Sequence, residues 1–336
     1  MVRSWQFDDY AIDALTQVEK DRPPLGERDV RVAVRAVSLN YRDLLVLEGW
    51  VSRDLELPVV PLSDFSGDVI DVGAGVSEFS AGDGVVSNYV ADWQDGPFQD
   101  RYLQTTLGTP GPGVAATELV LPETALVAKP SNLTHAEGAT LPIAALTAWS
   151  GLHAGDPLGP GSTVLALGTG GVSVVGLQMA KAMGARTIIT SKDDEKLATV
   201  AGLGVDHGIN YRTHPEWARQ VREITDGRGV DLVLEAGGAQ TLNQSLRSLR
   251  AAGTAALFGV LTGPSGEIET RTILARRLNV CGIYVDSRAE FRRMNEFIEK
   301  VGYKPYIGQE FEFDGLPEAF AAMKNQSHIG KIVATV

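Results

Sequence analysis

The segment at residues 163–191 constrains the fold of this chain more than any other part of the sequence. Residues 163–167 are mostly apolar without alternation, which predicts a strand covered on both faces. A turn with Gly168, Gly170 and Gly171 follows, and the next residues place apolar side chains at intervals of three and four, as one face of a helix requires. A second strand begins at Arg186. This order predicts a parallel sheet covered by helices.

The glycine turn is typical of a site that binds a dinucleotide. Glycine allows the main chain to approach a pyrophosphate closely, and the helix that begins there offers free N–H groups and the positive end of its dipole. We therefore predict that the turn binds a cofactor, through Gly168, Gly170, Gly171 and Val172. Ser173 replaces the third glycine of the usual pattern, and we expect its side chain to hold the helix slightly further from the strand.

The end of the second strand indicates which dinucleotide is bound. Here NAD sites place an Asp or Glu on the ribose hydroxyls, whereas NADP sites place cations beside a 2′-phosphate. This chain has Ser191 and Lys192, then Lys196 one helical turn later, and Tyr211 follows the third predicted strand. A hydroxyl and an ammonium group favour NADP(H). The alternative is that the two lysines are solvated helix charges and that Asp193 caps their helix.

Composition excludes several other classes of protein. The net charge of −12 disfavours nucleic acid and anionic membranes as partners. A single cysteine, Cys281, rules out an intramolecular disulfide and favours a reducing compartment, so we expect a cytoplasmic protein. We expect no signal peptide, and the uncharged residues 157–180 contain too much glycine and proline for a membrane span.

The length of 336 residues predicts two domains. The alternation at Val30, Val32 and Val34 predicts a half-buried strand, and the short strands that follow are typical of a small antiparallel barrel. Thr134 and Glu137 form a candidate capping box that opens a helix leading to the glycine turn. After residue 186, strands and helices alternate, as in a sheet with helices on both faces.

The predicted fold class is α/β, a doubly wound parallel sheet with a mostly antiparallel β-barrel-like domain. We place the barrel-like domain at residues 1–123, the dinucleotide-binding domain at residues 124–286, and a segment that returns to the first domain at residues 287–336. The strand predicted at residues 278–285 has little charge and would be costly as an exposed edge. We expect it to pair with a second subunit in a homodimer.

Several motifs occur along essentially the whole chain. They are Asn40-Tyr41-Arg42-Asp43, the glycine-containing residues 67–76, Leu146-Thr147-Ala148, the glycine turn, residues 206–211, and Gly330-Lys331. With these motifs the chain resembles the medium-chain dehydrogenase/reductase superfamily, in particular its zinc-free quinone-oxidoreductase-like branch. The resemblance implies a GroES-like catalytic domain, a Rossmann domain, and oxidoreductase activity with a nicotinamide cofactor.

The resemblance also bears on metal binding. Zinc-dependent relatives hold the catalytic metal with Cys, His and a further Cys or Asp, and the corresponding positions here are Asn40, Ser63 and Ile143. None of these is Cys or His, and the histidines show no metal-ligand spacing, so we expect no metal. Hydrogen-bond donors would then stabilise the negative charge that hydride transfer leaves on a substrate oxygen.

The resemblance places Asn40, Tyr41 and Arg42 on the floor of the active site. We take them, with Asp64, as the candidate catalytic residues, and Arg42 would supply a fixed positive charge. The alternative is that Asn40 bonds only to the backbone and that Arg42 pairs with Asp43 or Asp64 in an ordinary structural bridge.

Further cofactor contacts are expected in the second domain. Thr147 matches a threonine beside the nicotinamide in the family, although a helix threonine also often bonds to its own backbone. Gly237, Gly259 and Val260 fall at the ends of parallel strands, the edge where a doubly wound sheet binds its ligand. Lys331 is expected either to reach a cofactor phosphate or to be solvated.

These features together predict a zinc-independent, NADPH-dependent reductase that delivers hydride to a quinone or an α,β-unsaturated carbonyl in a cleft between the two domains. Two alternatives stay open. One is a zinc-free alcohol or aldehyde dehydrogenase that uses NADP(H), with Arg42 or Tyr41 polarising the carbonyl. The other is a nucleotide-binding protein without turnover. The sequence does not identify the substrate, because pocket residues come together from both domains.

Overall fold

A computed structural model describes residues 1–336 and divides them into two compact units. Unit 1 comprises Met1–Leu146 and Asp286–Val336, and unit 2 comprises Thr147–Val285. Unit 1 extends past residue 123, where we expected the first domain to end, because a short helix at residues 135–138 packs on three of its strands. The C-terminal segment belongs to unit 1.

The chain contains strands and α-helices that we number separately in chain order. The strands are β1 Val2–Phe7, β2 Leu15–Lys20, β3 Asp29–Leu39, β4 Asp64–Val72, β5 Gly84–Ser87, β6 Glu118–Pro122, β7 Leu126–Ala128, β8 Thr163–Leu167, β9 Arg186–Ser191, β10 His207–Asn210, β11 Val230–Glu235, β12 Leu249–Leu257, β13 Asn279–Gly282, β14 Ile307–Glu312 and β15 Lys331–Thr335. The helices are α1 Tyr41–Leu47, α2 His135–Gly138, α3 Leu146–Leu152, α4 Gly171–Ala182, α5 Asp194–Gly202, α6 Trp217–Ile224, α7 Leu242–Ser248, α8 Thr270–Arg276, α9 Arg288–Val301 and α10 Leu316–Lys324. No helix combines the length and the apolar content needed to cross a membrane.

Unit 1 is built on a seven-stranded sheet in the order β14-β15-β3-β4-β5-β7, with β6 also paired to β3. All of its strand pairs are antiparallel except β14 with β15. Val30, Val32 and Val34 are buried on β3 and the residues between them are only partly buried, which confirms the predicted alternation. The long strand β3 therefore supplies one face of the unit's core.

The ends of three strands come together at one place in this sheet. β3 pairs with β4 through Ser38 and Asp64, and it pairs with β15 through Leu39 and Ile332. The two registers bring the C-terminal end of β3 next to the first residues of both neighbours. Asn40, which follows β3 directly, is thus placed beside the start of β4 and the start of β15.

Unit 2 contains six parallel strands in the order β10-β9-β8-β11-β12-β13, with α4, α5 and α7 packed on them. This is the Rossmann-like parallel sheet that the sequence predicted. All of β8 is buried, as expected for a strand covered on both faces. The strand predicted at residues 278–285 is only Asn279–Gly282, and it forms one edge of the sheet. Its pairing with a second subunit stays a prediction.

Residues 91–113 are ordered by their own aromatic side chains. Trp93 stacks on Tyr102 with ring centroids 5.7 Å apart, and Phe98 meets both rings edge-on. Tyr102 lies on a 3₁₀ turn at Asp100–Thr105, and Trp93 and Tyr102 are buried. Aromatic rings in contact supply packing that a loop otherwise lacks. The segment is therefore a compact part of unit 1.

The short helix α2 is held to the sheet of unit 1 by its cap and by His135. The predicted capping box is confirmed, because the Thr134 N–H donates to Glu137 Oε2 (2.7 Å) and the Glu137 N–H donates to Thr134 Oγ1 (3.2 Å). On β4, Ser66 Oγ lies 2.8 Å from His135 Nδ1, and Asp68 Oδ1 lies 3.1 Å from His135 Nε2. Burial lowers the pKa of His135, although the Asp68 carboxylate acts in the opposite direction.

We predict that His135 makes the free energy of unfolding fall as the pH falls through about 6.5. Its pKa is lower in the folded protein than in the unfolded chain, so the unfolded state takes up the proton first and acid favours unfolding. His135→Gln removes this titration. Urea denaturation of both proteins between about pH 8 and pH 5 should show the wild type losing more stability than the variant. A stability difference that is constant over this range would contradict the prediction.

Candidate functional site

The predicted glycine turn of unit 2 presents bare main chain at the end of β8. Gly168 has φ of +71°, a left-handed conformation that favours glycine, and its N–H donates to the Thr190 carbonyl (2.9 Å). Gly170 is the N-cap of α4. A Cβ added to Gly168 or Gly170 would meet no atom within 4 Å. The first N–H groups of α4, which have no acceptor within the helix, are thus accessible to an anion.

Helix α4 approaches the sheet most closely at Gly176. The usual glycine pattern would place this close approach at position 173, which is a serine here. A Cβ on Gly176 would lie 2.4 Å from Leu234 Cδ1 on β11. Ser173, at the position of the third glycine of the pattern, is buried and its hydroxyl donates to the Leu167 carbonyl (2.8 Å). Ser173 therefore ties the start of α4 to the end of β8 with a hydrogen bond. The sequence pattern does not distinguish Gly176 from the other small and apolar residues on this face of α4.

The residues predicted to select the cofactor lie at the ends of β9 and β10. These strands are parallel neighbours, and Asn210 is in register with Ser191, so Tyr211 follows close to Lys192. The side chains of Lys192 and Tyr211 are exposed, whereas Ser191 is buried. Burial lowers the pKa of the partly buried Lys196. The structure therefore groups all four predicted residues in unit 2.

Asp193 caps α5, as the alternative interpretation of this segment proposed. Its Oδ1 accepts from the N–H groups of Glu195 (2.9 Å) and Lys196 (3.3 Å). The carboxylate nearest to the end of β9 is therefore occupied by the helix.

A buried carboxylate at the end of β11 organises the next loop, which sequence reasoning did not foresee. Glu235 Oε1 accepts from the N–H groups of Gly237 (2.7 Å) and Gly238 (3.0 Å) and from Thr241 Oγ1 (2.6 Å), and Glu235 Oε2 accepts from the Ser245 hydroxyl. Gly238 has a left-handed φ of +88°. Several donors on one buried carboxylate are characteristic of a tightly held loop. An acidic residue two positions before a Gly-Gly pair, at the end of a predicted strand, was the only signal in the sequence.

The predicted contacts Gly237, Gly259 and Val260 lie together at the ends of β11 and β12. A Cβ on Gly259 would lie 2.4 Å from the Ala236 carbonyl oxygen, so the two loops approach closely. The Gly237 N–H already donates to Glu235. A cofactor bound there would therefore contact other groups of this loop. Val260 is 54% exposed. Thr147, on α3 of unit 2, is 6% exposed.

In unit 1 the three strand ends bring together an amide, a carboxylate and an ammonium group. Asn40 Nδ2 donates to Asp64 Oδ2 (2.8 Å), and Lys331 Nζ donates to Asn40 Oδ1 (2.6 Å) and to the Leu39 carbonyl (2.7 Å). The Ile143 N–H also donates to Asp64 Oδ2 (3.3 Å). Asp64 Oδ1 is buried and has no partner. We call Asn40, Asp64 and Lys331 the amide network.

The amide network corrects the prediction for Lys331. The residue is 2% exposed and donates to two acceptors inside unit 1, so it is not solvated and its ammonium group is engaged within this unit. Its Nζ lies 4.0 Å from Asp64 Oδ2. Burial raises the pKa of Asp64 to about 7, while the charge of Lys331 acts to lower it. Burial lowers the pKa of Lys331, and the carboxylates of Asp64 and Asp43 favour its charged form.

Arg42 has a structural position, which supports the alternative interpretation. Its Nη1 donates to Ser63 Oγ (2.5 Å), to Asp43 Oδ1 (3.3 Å) and to the Leu107 carbonyl (3.3 Å), and its Nη2 donates to the Thr109 carbonyl (3.3 Å). The guanidinium also lies over the Tyr89 ring, 5.2 Å from the centroid. Arg42 therefore anchors residues 107–109 to α1 through several bonds at once.

Tyr41, the first residue of α1, differs from Arg42 in its exposure. Its side chain is 42% exposed, so the hydroxyl-bearing ring is accessible from outside unit 1. Asp43, two residues later, accepts from the Asn40 N–H (2.9 Å) and holds the start of the helix. Of the four candidate catalytic residues, Asn40 and Asp64 are thus bonded to each other, Arg42 is engaged with a loop, and Tyr41 is exposed.

Comparison with known proteins identifies the family. Residues 26–131 match the family model of the alcohol dehydrogenase GroES-like domain, and residues 171–300 match that of the zinc-binding dehydrogenase. A zinc-type alcohol dehydrogenase-like protein of Schizosaccharomyces pombe is 41% identical over 96% of each chain. A quinone oxidoreductase-like protein 2 homolog of Nematostella vectensis is 32% identical over 92% of this chain and 82% of its own. A solved structure of an NAD-dependent alcohol dehydrogenase is 32% identical, with a TM-score of 0.90 and 99% of each chain covered.

The chain therefore belongs to the medium-chain dehydrogenase/reductase superfamily, as the sequence motifs predicted. Members of this family are oxidoreductases that bind a nicotinamide cofactor, NAD or NADP. The residues of unit 2 fit such a group, because the bare turn at Gly168 and Gly170 and the free N–H groups of α4 suit a pyrophosphate.

Zinc, which the name of one family model implies, does not fit the residues present. At the three positions that the resemblance matches to the metal ligands of zinc-dependent relatives, Asn40 has an amide bonded to Asp64, Ser63 has a hydroxyl that donates to Asp43 (2.9 Å), and Ile143 has only an apolar side chain. No group of three or more His, Cys, Asp and Glu residues is arranged to hold a metal ion. The side chains at this place in unit 1 bond to one another instead.

We predict that Glu235→Gln weakens the binding of the nicotinamide cofactor about 10-fold. The amide has one oxygen in place of two, so it cannot accept from all the donors that order the loop after β11. Ser245→Ala, which removes only one donor, should lose less than about threefold. Fluorescence titration with NADPH and NADH measures both. Unchanged affinity in a folded Glu235→Gln protein would show that the loop does not contribute to cofactor binding.

Proposed function

We propose that this protein is a zinc-independent, NADP(H)-dependent oxidoreductase that transfers hydride to a quinone or an α,β-unsaturated carbonyl. The observation that carries the proposal is the amide of Asn40, bonded to Asp64 at a position where zinc-dependent relatives have a metal ligand. A conjugated acceptor spreads the incoming negative charge over several atoms, so hydrogen bonds can stabilise it without a Lewis acid. The name of the quinone oxidoreductase-like relative supports the same class of acceptor.

The residues of unit 2 hold the cofactor in this proposal. A reduced nicotinamide, when bound, supplies the hydride, and the protein supplies binding and orientation. The N–H groups at the start of α4 bind the pyrophosphate, and Lys192 with Ser191 binds the 2′-phosphate of NADP(H). Thr147 orients the nicotinamide ring, and the loops with Gly237, Gly259 and Val260 contact the cofactor through groups other than the Gly237 N–H.

NADP(H) is favoured over NAD(H) by the charges at the end of β9. Residues 190–192 contain no carboxylate, and the nearest one, Asp193, is bonded to two N–H groups of α5. One oxygen of that carboxylate is thus engaged by the helix, whereas a 2′-phosphate has the Lys192 ammonium beside it. The solved structure named NAD-dependent keeps NAD(H) as the second possibility.

The residues of unit 1 act on the acceptor. The acceptor gains a hydride at carbon, the displaced π-electron pair moves to its oxygen, and a proton from solvent completes the two-electron reduction. Asn40 donates an amide N–H to that oxygen, and the exposed Tyr41 hydroxyl is a second donor. Arg42 contributes indirectly, because its guanidinium is already engaged with Ser63 and with the carbonyls of the 107–109 loop.

Lys192→Ala should weaken NADPH binding about 10-fold or more and leave NADH binding within about twofold. A charge-assisted hydrogen bond to a phosphate contributes roughly 1.5–3 kcal/mol, and only NADPH carries the 2′-phosphate. Fluorescence titration with each cofactor gives the two dissociation constants. Lys181→Ala is the matched control, because this lysine of unit 2 pairs with Asp206 near the other end of α4. Equal losses for both cofactors would argue against NADP selectivity.

A panel of acceptors tests the reaction class. With NADPH, the purified protein should reduce quinones or α,β-unsaturated carbonyls with kcat/KM at least about 10-fold above that for simple aldehydes, and a chelator should leave the rates unchanged. Initial rates of NADPH oxidation at 340 nm, repeated with NADH, measure this. Turnover confined to alcohols and aldehydes, or lost with the chelator, would overturn the proposal. Tight cofactor binding without any turnover would favour a binding protein.

A second candidate function is a zinc-free alcohol or aldehyde dehydrogenase. The names of the relative that is 41% identical and of the solved structure favour it. In this case Tyr41 polarises the carbonyl, because its side chain is accessible and Arg42 is not free to do so. An unconjugated carbonyl concentrates the developing charge on one oxygen, which hydrogen bonds alone stabilise less well than a metal does. We therefore rank this function second.

A further inference from the structure

We propose that Lys331 is a positioning residue for acceptor reduction, whose buried ammonium group orients and polarises the Asn40 amide so that one amide N–H is directed to the acceptor oxygen. This inference rests on the proposed function. It identifies the Lys331 ammonium as the positive charge that acts where the acceptor binds. Sequence reasoning assigned that charge to Arg42, and Lys331 to the cofactor.

The orientation of the Asn40 amide follows from its two neighbours. Its oxygen faces the Lys331 ammonium (2.6 Å) and its nitrogen faces the Asp64 carboxylate (2.8 Å). A flipped amide would place NH₂ against an ammonium group, which has only donors, and oxygen against a carboxylate, which has only acceptors. One orientation is therefore strongly favoured. An amide nitrogen carries two N–H groups and Asp64 takes one, which leaves the second for a ligand.

The charge of Lys331 strengthens this amide as a donor. A hydrogen bond from an ammonium group to the Asn40 oxygen is charge-assisted, and it draws electron density away from the amide nitrogen. Lys331 is 2% exposed, so solvent screens the interaction little. Because both groups are held before any ligand binds, the developing charge on an acceptor oxygen meets a preorganised donor.

The pairing of β15 with β3 indicates that the contact between Lys331 and Asn40 is specific. Lys331 is the first residue of β15, and the pairing of β15 with β3 holds its Nζ against the Leu39 carbonyl as well as Asn40. A lysine is almost never fully buried unless its charge has partners. Lys331 also pairs with the Asp64 carboxylate at 4.0 Å, but its shorter contact is the hydrogen bond to the Asn40 oxygen at 2.6 Å.

Steady-state kinetics of a double-mutant cycle test the proposal in the full-length protein with NADPH and the best acceptor of the panel. Lys331→Met should lower kcat about 30-fold, below the 10²–10³-fold loss expected for a direct donor, and leave the NADPH dissociation constant within about twofold. In a protein that also carries Asn40→Ala, Lys331→Met should cost less than about threefold, because its effect passes through the amide. Lys324→Met, which alters a surface lysine paired with Glu48, is the control and should keep full activity.

A second variant separates this role from simple neutralisation of a buried charge. Asp64→Asn with Lys331→Met removes both charges, so it folds without an unpaired buried carboxylate even if Lys331→Met alone does not. We expect its kcat to stay low. Recovery of wild-type kcat in this variant, or equal losses with and without Asn40→Ala, would overturn the proposal. If the wild type reduces no acceptor at all, the proposed function fails and this inference fails with it.

Discussion

The pairing register of β3 is the constraint on which the acceptor side of this protein depends. β3 is bonded on one edge to β4 and on the other to β15, and only this double pairing brings Asn40, Asp64 and Lys331 together. Because side chains alternate along a strand, a slip of one residue in either register would turn one partner to the opposite face. Charged groups buried at 0–3% exposure persist only if they are paired, so the register and the network support each other.

In unit 2 the candidate cofactor site is formed mainly by main-chain groups. Its sheet ends in turns where glycine permits left-handed backbone, at Gly168 and Gly238, and each turn is held from beneath by buried polar atoms. Ser173 bonds the carbonyl at the end of β8, and Glu235 collects the N–H groups of the loop after β11. A flexible turn would have to be ordered on binding, at a cost in conformational entropy. Anchored turns avoid most of that cost, which suits a site for a large charged cofactor.

Part of the candidate site could be predicted from the sequence, and the reasons differ between residues. The turn at residues 168–172 was predictable because glycine spacing and a following apolar stripe are local signals. Asn40 was singled out by its motif, and the structure puts it at the centre of the amide network. Lys331 was expected to reach a cofactor phosphate or to be solvated, and the structure buries it against Asn40. Arg42 was expected to supply charge to the acceptor or to form a structural bridge, and the structure bonds it to Asp43, to Ser63 and to the 107–109 loop. A cation's partner is set by which acceptors fold next to it, and nothing in the local sequence reports that.

The sequence by itself determined the class of fold, the alternating strands and helices of unit 2, the alternation on β3, the capping box at Thr134, and the residue types at Asn40, Ser63 and Ile143, none of which is Cys or His. These follow from periodicity, backbone preference and residue chemistry, which act over a few neighbouring residues. Only the tertiary structure decided that Lys331 bonds to Asn40, that Glu235 holds the Gly237 loop, and that Gly176 is the point of closest approach of α4. The first and the last depend on residues far apart in the chain, whose distance is fixed by strand register and helix packing, and the Glu235 contacts depend on how the loop after β11 folds back on that strand.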